Sequence, residues 1–270
     1  MIEPHEISDI MERVRRETPL IHHITNLVVT NVTANATLAV GASPVMSHSI
    51  DEVEEMVAAA KALVLNIGTL DVEQVDSMIV AGRAANGLDV PVILDPVGMG
   101  ATQLRTRSVR RIMSEVKVDI LRGNTSEIAI LGGVGSSIRG VDAVGGSDNI
   151  DELAREVAKD TGCVVAVTGP EDAVSDGQRT YRIENGHPLM SSVTGTGCVA
   201  TSIVAAGAAV TDDLLHGAVA GLSYLGCAAE RAARSAGGPG SFQVALMDEL
   251  YGLTSEGYRA AAGVFPDGES

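Results

Sequence analysis

The pentad Thr194-Gly195-Thr196-Gly197-Cys198 is where the residue types and spacing of this chain speak most directly of chemistry. Two glycines let the backbone approach a ligand closely and turn successive N–H groups toward it. The residues that follow read as a helix, and the partial positive charge of its N-terminus makes the turn an anion site. A phosphoryl group in transfer spreads negative charge over its oxygens and needs such donors. A glycine turn before a buried helix uses the same residues, and the pentad alone leaves both readings open.

Other polar residues end apolar runs: Asn66 and Gly68, Asp95, Arg122 with Asn124, and Thr168 with Gly169. An Asp, an Arg, an Asn and a Thr gathered on one edge could hold a metal and a polyphosphate. In the first block, Asn26 is by default a helix N-cap; its functional alternative is an amide that orients a heterocycle. Met46 closes a short strand, where a Met belongs to the core or lines an apolar pocket. His22 and His23 point opposite ways on a strand, so they cannot ligate one metal together.

What must position these residues is an alternation of short apolar runs and helical patterns. Residues 62–68, 90–95, 119–124 and 163–169 read as strands, with helices near 71–85, 106–116, 126 onward and 150–160. Residues 19–26 and 41–46 add two more strands around a helix over 26–40. Near-continuous apolar strands separated by helices predict a parallel sheet covered on both faces, its strands ending on one edge, where ligands bind. Residues 173–175 and 180–183, joined through Asp176-Gly177, predict a hairpin. Beyond Gly197 everything reads as helix. The Gly- and Ser-rich stretch 132–147 reads as a mobile loop rather than a boundary, so one α/β domain over 1–270 is expected.

Composition narrows the function. The chain has 270 residues, 45% hydrophobic and 20% charged, enough for a sizeable core. Its 35 Asp and Glu against 19 Lys and Arg give a net charge of −16, with no basic cluster of the kind a nucleic-acid binder carries. The Lys-poor, acidic balance suits either a salt-rich cytoplasm or an ordinary acidic cytosolic protein. Cys163, Cys198 and Cys227 lie too far apart for a disulfide framework or structural zinc. Acidic residues at 3, 6, 9 and 12 argue against a secretory signal. The uncharged stretch 185–211 is too weakly apolar for a bilayer helix, so a buried segment in a cytoplasmic protein is expected. Gly195 to Ala200 also matches G-x-G-x-x-A, but no further strand follows, as a dinucleotide site requires. None of the three lysines follows a glycine as a P-loop demands, and no G-x-S-x-G elbow is present.

In combination the blocks resemble a known family. Residues 19–48, with Ile24-Thr25-Asn26 and Gly41-Ala42-Ser43-Pro44-Val45-Met46, look like the opening of the hydroxyethylthiazole kinases. Asp95 through Thr102, Arg122-Gly123-Asn124-Thr125-Ser126-Glu127 and Val193 through Cys198 are similar to that family's later blocks, in order. The resemblance implies a ribokinase-like three-layer αβα fold that moves the γ-phosphoryl of ATP, with Mg²⁺, to 4-methyl-5-(2-hydroxyethyl)thiazole in thiamine salvage. It implies that Asn26, Met46 and Gly195 contact the thiazole alcohol, that Arg122, Asn124 and Thr168 bind ATP, and that Asp95 and Glu127 serve the Mg²⁺ site. The turn from Gly195 through Gly197 to Cys198 becomes the anion hole. A homotrimer with sites between subunits is implied as well. Cys198 stands where most relatives of this fold place an Asp base. A thiol at a helix N-terminus has a lowered pKa, so Cys198 is expected to ionise in part and contribute modestly. The alternative on the same fold is a nicotinamide nucleotide hydrate dehydratase, a lyase; Asn26 and Met46 speak against it. The chain departs from some relatives at His23, Leu27 and Met99, which bears on fine substrate preference.

Overall fold

The computed structural model describes residue 2 and residues 4–133 and 150–266. The loop expected over 132–147 lies outside the described residues, apart from its first two glycines. Nine strands form one sheet: β1 (Leu20–Ile24), β2 (Ser43–Met46), β3 (Ala62–Asn66), β4 (Val92–Asp95), β5 (Ile120–Asn124), β6 (Val164–Thr168), β7 (Asp172–Ser175), β8 (Thr180–Ile183) and β9 (Val264–Pro266). Their order is β2-β1-β3-β4-β5-β6-β7-β8-β9. Pairing is parallel from β2 through β6 and antiparallel from β6 to β9.

Helices cover both faces in three layers. The elements are α1 (Pro4–Glu17), α2 (Thr30–Ala39), α3 (Val53–Ala59), α4 (Val72–Gly87), α5 (Gln103–Glu115), α6 (Thr125–Leu131), α7 (Ile150–Thr161), α8 (Thr196–Ala208), α9 (Leu214–Ser235), α10 (Pro239–Gly252) and α11 (Ser255–Ala261). The period of two along each strand sorts the core. Ala62 and Val64, Ile93, Ile120 and Ala166 pack with α1, α2, α8, α9 and α10. Leu63 and Leu65, Val92 and Leu94, Leu121, Val165 and Val167 pack with α3, α4, α5 and α7. Because both faces are covered, β3, β4 and β6 are apolar at every position up to their last residue, and the sequence shows continuous runs there instead of alternation.

Two expectations are corrected. The helix expected from Asn26 begins at Thr30, with Val29 at its N-cap and no side-chain cap. Asn26 is instead spent on a local turn, its Oδ1 accepting from the Val28 amide at 3.2 Å, and on the sheet edge. The end of the described chain is not all helical: β9 returns to pair with β8, because the hairpin's outer edge would otherwise stay open. The uncharged stretch folds into a short 3₁₀ turn (Pro188–Ser192) and α8, whose residues 199–208 are all buried. No helix among the described residues is long and apolar enough to cross a membrane.

Candidate active site

Strand alternation carries past the last apolar residue of each parallel strand. Asn66 falls on the same face as Val64, Asp95 as Ile93, Arg122 as Ile120 and Thr168 as Ala166. That face is covered by α8, so four polar residues from four strands meet the helix that starts with the glycine turn. Asn66 and Asp95 are direct neighbours in the parallel register. In a helix-covered interior such a cluster must satisfy itself or a ligand.

It does so almost completely. Asn66 Nδ2 donates to Asp95 Oδ2 at 2.8 Å and to Cys198 Sγ at 3.2 Å. Asn66 Oδ1 accepts from Asn26 Nδ2 at 2.8 Å and from the Gly68 amide at 3.0 Å. Asn26 Nδ2 also approaches Cys198 Sγ at 3.5 Å. From the next turn of α8, Thr201 Oγ1 donates to Asp95 Oδ2 at 2.8 Å. The Arg122 guanidinium lies 3.7 Å from Asp95 Oδ2 and donates to Thr168 Oγ1.

The glycine turn is fitted around these groups. Gly195 is the N-cap of α8 in the left-handed region, φ 89°, which an L side chain rarely adopts. A Cβ on Gly197 would stand 2.8 Å from an Arg122 guanidinium nitrogen, so the arginine reaches the turn only because residue 197 has no side chain. The first bond of the helical ladder runs from the Val199 amide to Gly195 O at 2.8 Å, and no side chain caps the helix. The amides of residues 196–198 therefore precede the ladder and face the turn as donors.

Charges follow from burial. Asp95 is wholly buried, and loss of water raises its carboxyl from 3.8 to about 6, even though Arg122, Thr201 and Asn66 favour the ionised form. Glu127 adds repulsion. Burial, joined by the Asp95 charge, pushes the Cys198 thiol up to about 11. The expectation of a lowered thiol pKa is thereby corrected: burial beside the Asp95 carboxylate outweighs the hydrogen bonds from Asn66 and Asn26 and the Arg122 charge, and the thiol is neutral at pH 7.

Asp95 Oδ1 is buried without a hydrogen-bond partner while Oδ2 takes two donors. A bare carboxylate oxygen beside a second acid is the donor chemistry Mg²⁺ takes. Mg²⁺ uses one or two carboxylates and completes its shell with water and phosphate. Among the described residues no group of three or more His, Cys, Asp or Glu could hold a metal, so a protein-only cage is not built here. Glu127 is half of a capping box: its Oε2 accepts from the Asn124 amide at 2.9 Å, and Asn124 Oδ1 accepts from the Glu127 amide at 3.0 Å. Its Oε1 accepts from the Gly98 amide at 2.7 Å. Both oxygens keep free lone pairs, while the Asn124 side chain is committed to the cap.

Met46 ends the edge strand β2, beside His23 of β1, half-buried. It is not among the groups hydrogen-bonded into the Asn66 cluster. The histidines are separate: His22 Nε2 lies 2.8 Å from Ser47 O and His23 Nε2 lies 3.5 Å from Thr37 Oγ1. Burial lowers His23 to about 3, so it stays neutral.

Sequence reasoning missed Thr201, whose hydroxyl is one turn beyond Cys198 and looked like helix interior. It also missed Arg105, which ties loop carbonyls together at Val97 (2.6 Å), Gly68 (2.8 Å) and Ile67 (3.0 Å). Asp172, half-buried at the start of β7, holds the Gly169 amide at 3.0 Å. Loss of water raises its carboxyl to about 7. A residue three or four positions after a strand end was the available signal for Asp172; Arg105 had none.

This arrangement can hold a polyphosphate and a cation beside an alcohol, and known proteins of similar sequence point the same way. A hydroxyethylthiazole kinase of Moorella thermoacetica is 53% identical over 251 residues, 93% of this chain and 94% of that one. The solved hydroxyethylthiazole kinase protein of Pyrococcus horikoshii OT3 is 45% identical with a TM-score of 0.89, covering 96% of this chain and 98% of that one. A Staphylococcus aureus pyridoxal kinase in complex with AMP-PCP, 13% identical with a TM-score of 0.58 over 76% of this chain and 86% of its own, shares the fold alone. With the model of the hydroxyethylthiazole kinase family matching residues 11–256, this chain belongs to that family.

Proposed function

We propose that the protein transfers the γ-phosphoryl group of Mg²⁺-ATP to the hydroxyl of 4-methyl-5-(2-hydroxyethyl)thiazole, a step of thiamine salvage, in one kinase domain spanning 1–270 and located in the cytoplasm. The observation that carries this reading is the meeting of the glycine turn with Arg122 and Asp95: Arg122 occupies the space that a Cβ on Gly197 would need, and the Thr201–Asp95 bond ties the start of α8 to the sheet edge. Family membership makes it a phosphotransferase and gives no support to the lyase alternative.

In this reading Arg122 and Thr168 hold ATP phosphates, with Asn124 beside them. Asp95 and Glu127 would hold Mg²⁺, directly or through water. When bound, the cation neutralises charge between phosphate oxygens. Amides at the turn from Gly195 through Gly197 to Cys198 receive the equatorial oxygens of the phosphoryl group in flight. Asn26, Met46 and Gly195 position the thiazole alcohol. Cys198, a neutral thiol, does not remove the hydroxyl proton beforehand; as the new O–P bond forms the proton passes to a phosphate oxygen or to water, since a loose transition state asks little of a base.

Met46 lies on an edge strand, and the residues nearby in sequence expose apolar surface: Leu27 at 78%, Val28 at 66%, Leu38 at 56% and Ile50 at 51%. An open edge with that much apolar exposure is a subunit contact. It supports a homotrimer whose sites lie between subunits. Sedimentation of the wild type and of Val28→Glu tests it: a trimer that the substitution splits is expected, and a wild-type monomer would remove the assembly from the proposal.

The function is tested by ADP release with Mg²⁺-ATP against thiazole, pyrimidine and pyridoxal alcohols and a nicotinamide nucleotide hydrate. The thiazole alcohol should give the highest kcat/KM, with no turnover under EDTA. A preference for another acceptor overturns the substrate, and hydrate dehydration overturns the reaction class.

A further inference from the structure

We infer that Asn66 is a positioning residue that locks the phosphoryl side and the alcohol side of the site into one unit. The inference rests on the kinase reading above and concerns how its parts are held together. Four groups meet the Asn66 amide. Its nitrogen donates to Asp95 Oδ2 (2.8 Å) and to Cys198 Sγ (3.2 Å); its oxygen accepts from Asn26 Nδ2 (2.8 Å) and the Gly68 amide (3.0 Å). Two N–H bonds and two lone pairs exhaust the capacity of a carboxamide. Asn66 is buried, so it has no water to exchange these partners for.

The consequence for Asp95 is directional. Asn66 and Thr201 both load Oδ2, and Oδ1 is left bare. A carboxylate free to turn would share two donors between two oxygens. Here its orientation is set, and the unshared oxygen is the one presented to the cation. On the other side, Asn66 and Asn26 both direct N–H groups at Cys198 Sγ, so the sulfur is an acceptor there and its own proton must point elsewhere. Asn66 also aligns Asn26 by accepting from it. One side chain thus fixes an acid that faces the metal, a thiol at the anion turn and an amide that faces the alcohol. Its four partners come from the residue 26 turn, the end of β4, the start of α8 and, through Gly68, its own loop.

The near-isostere Asn66→Asp keeps the acceptor oxygen and loses both donors, placing a carboxylate against Asp95. Asn66→Ser is the milder variant, should Asp impair folding. Thr201→Val removes only the second donor on Asp95 Oδ2. Wild type and variants are compared for kcat and KM with each alcohol, for binding of a fluorescent ATP analogue without metal, and for melting temperature. Asn66→Asp is expected to lower kcat by about 10²-fold and raise the alcohol KM, with analogue affinity within about threefold of wild type. Asn66→Ser should lose about tenfold and Thr201→Val less. In combination with Cys198→Ala, the Asn66→Asp loss should fall well short of the product of the two single losses. Turnover within threefold of wild type for both Asn66 variants overturns the inference, as do fully multiplicative losses or a parallel fall in analogue binding. Wild-type preference for another alcohol changes the substrate in the proposal but not these ratios. No phosphoryl transfer to any alcohol ends both.

Discussion

In the first turn of α8, Gly195 and Gly197 make room for side chains from other elements; further along, Gly207 and, from α9, Gly221 make room for backbone. A Cβ on Gly197 would meet an Arg122 nitrogen at 2.8 Å, and one on Gly195 would meet Val29 Cγ1 at 2.8 Å. On Gly207 it would meet the carbonyl oxygen of Gly217 at 2.4 Å, and on Gly221 the Val204 backbone at 2.8 Å. A guanidinium tip can swing aside cheaply, whereas a packed helix backbone cannot. The same residue type therefore guards chemistry at one end of the helix and close packing at the other. Substitutions should separate the two.

The largest effect is expected from Asp95→Asn. Turnover should fall by about 10³-fold if, as proposed, Asp95 is the carboxylate that holds the cation. Stability should move the other way. The carboxyl ordinarily titrates at 3.8 and here at about 6, so the folded state holds the proton more tightly than the unfolded chain. Ionised Asp95 costs about 3 kcal/mol well above pH 6, and nothing well below pH 3.8, where both states are protonated. In denaturant unfolding the Asp95→Asn variant should be more stable than wild type at pH 7.5 and equal to it near pH 3; a loss of stability at pH 7.5 would mean that the Arg122 pairing outweighs burial.

Gly197→Ala comes next. Displacing Arg122 by about 1 Å should cost about 10²-fold in kcat/KM, read by steady-state kinetics, with melting changed little. Gly207→Ala and Gly221→Ala should do the reverse, losing about 1–3 kcal/mol in denaturant titrations while kcat stays within twofold. If Gly197→Ala unfolded the protein and Gly207→Ala silenced it, the division of labour along α8 would be wrong. The smallest effect belongs to Cys198→Ser. With a thiol already neutral, turnover should drop by less than about tenfold, and the wild-type pH profile should lack a thiolate limb near neutrality. A near-complete loss would make Cys198 an essential base.

The strands and most helices were legible because a sheet covered on both faces leaves an unbroken apolar run, ended by a polar residue at the sheet edge. Asp95, Arg122 and Thr168 could be picked out on that basis. The glycine turn was legible because Gly195 and Gly197 stand before an uncharged helix. Asn26 misled, since an amide before a helical pattern suggests an N-cap, and only the fold shows that it turns to Asn66 instead. β9 was hidden by its three residues, too few to carry a period.

The αβα plan and the group of polar strand ends could be read from the chain, because hydrophobic periodicity is a local property. Tertiary structure alone decided which of those groups touch. The meeting of Asn66 with Asn26, Asp95 and Cys198, the bare oxygen of Asp95 and the rise of the Cys198 thiol to about 11 depend on distances between segments that are far apart along the chain, Cys198 lying 132 residues beyond Asn66. Desolvation and hydrogen-bond saturation are properties of a place in space, and no position along a chain encodes them until the sheet has closed against α8.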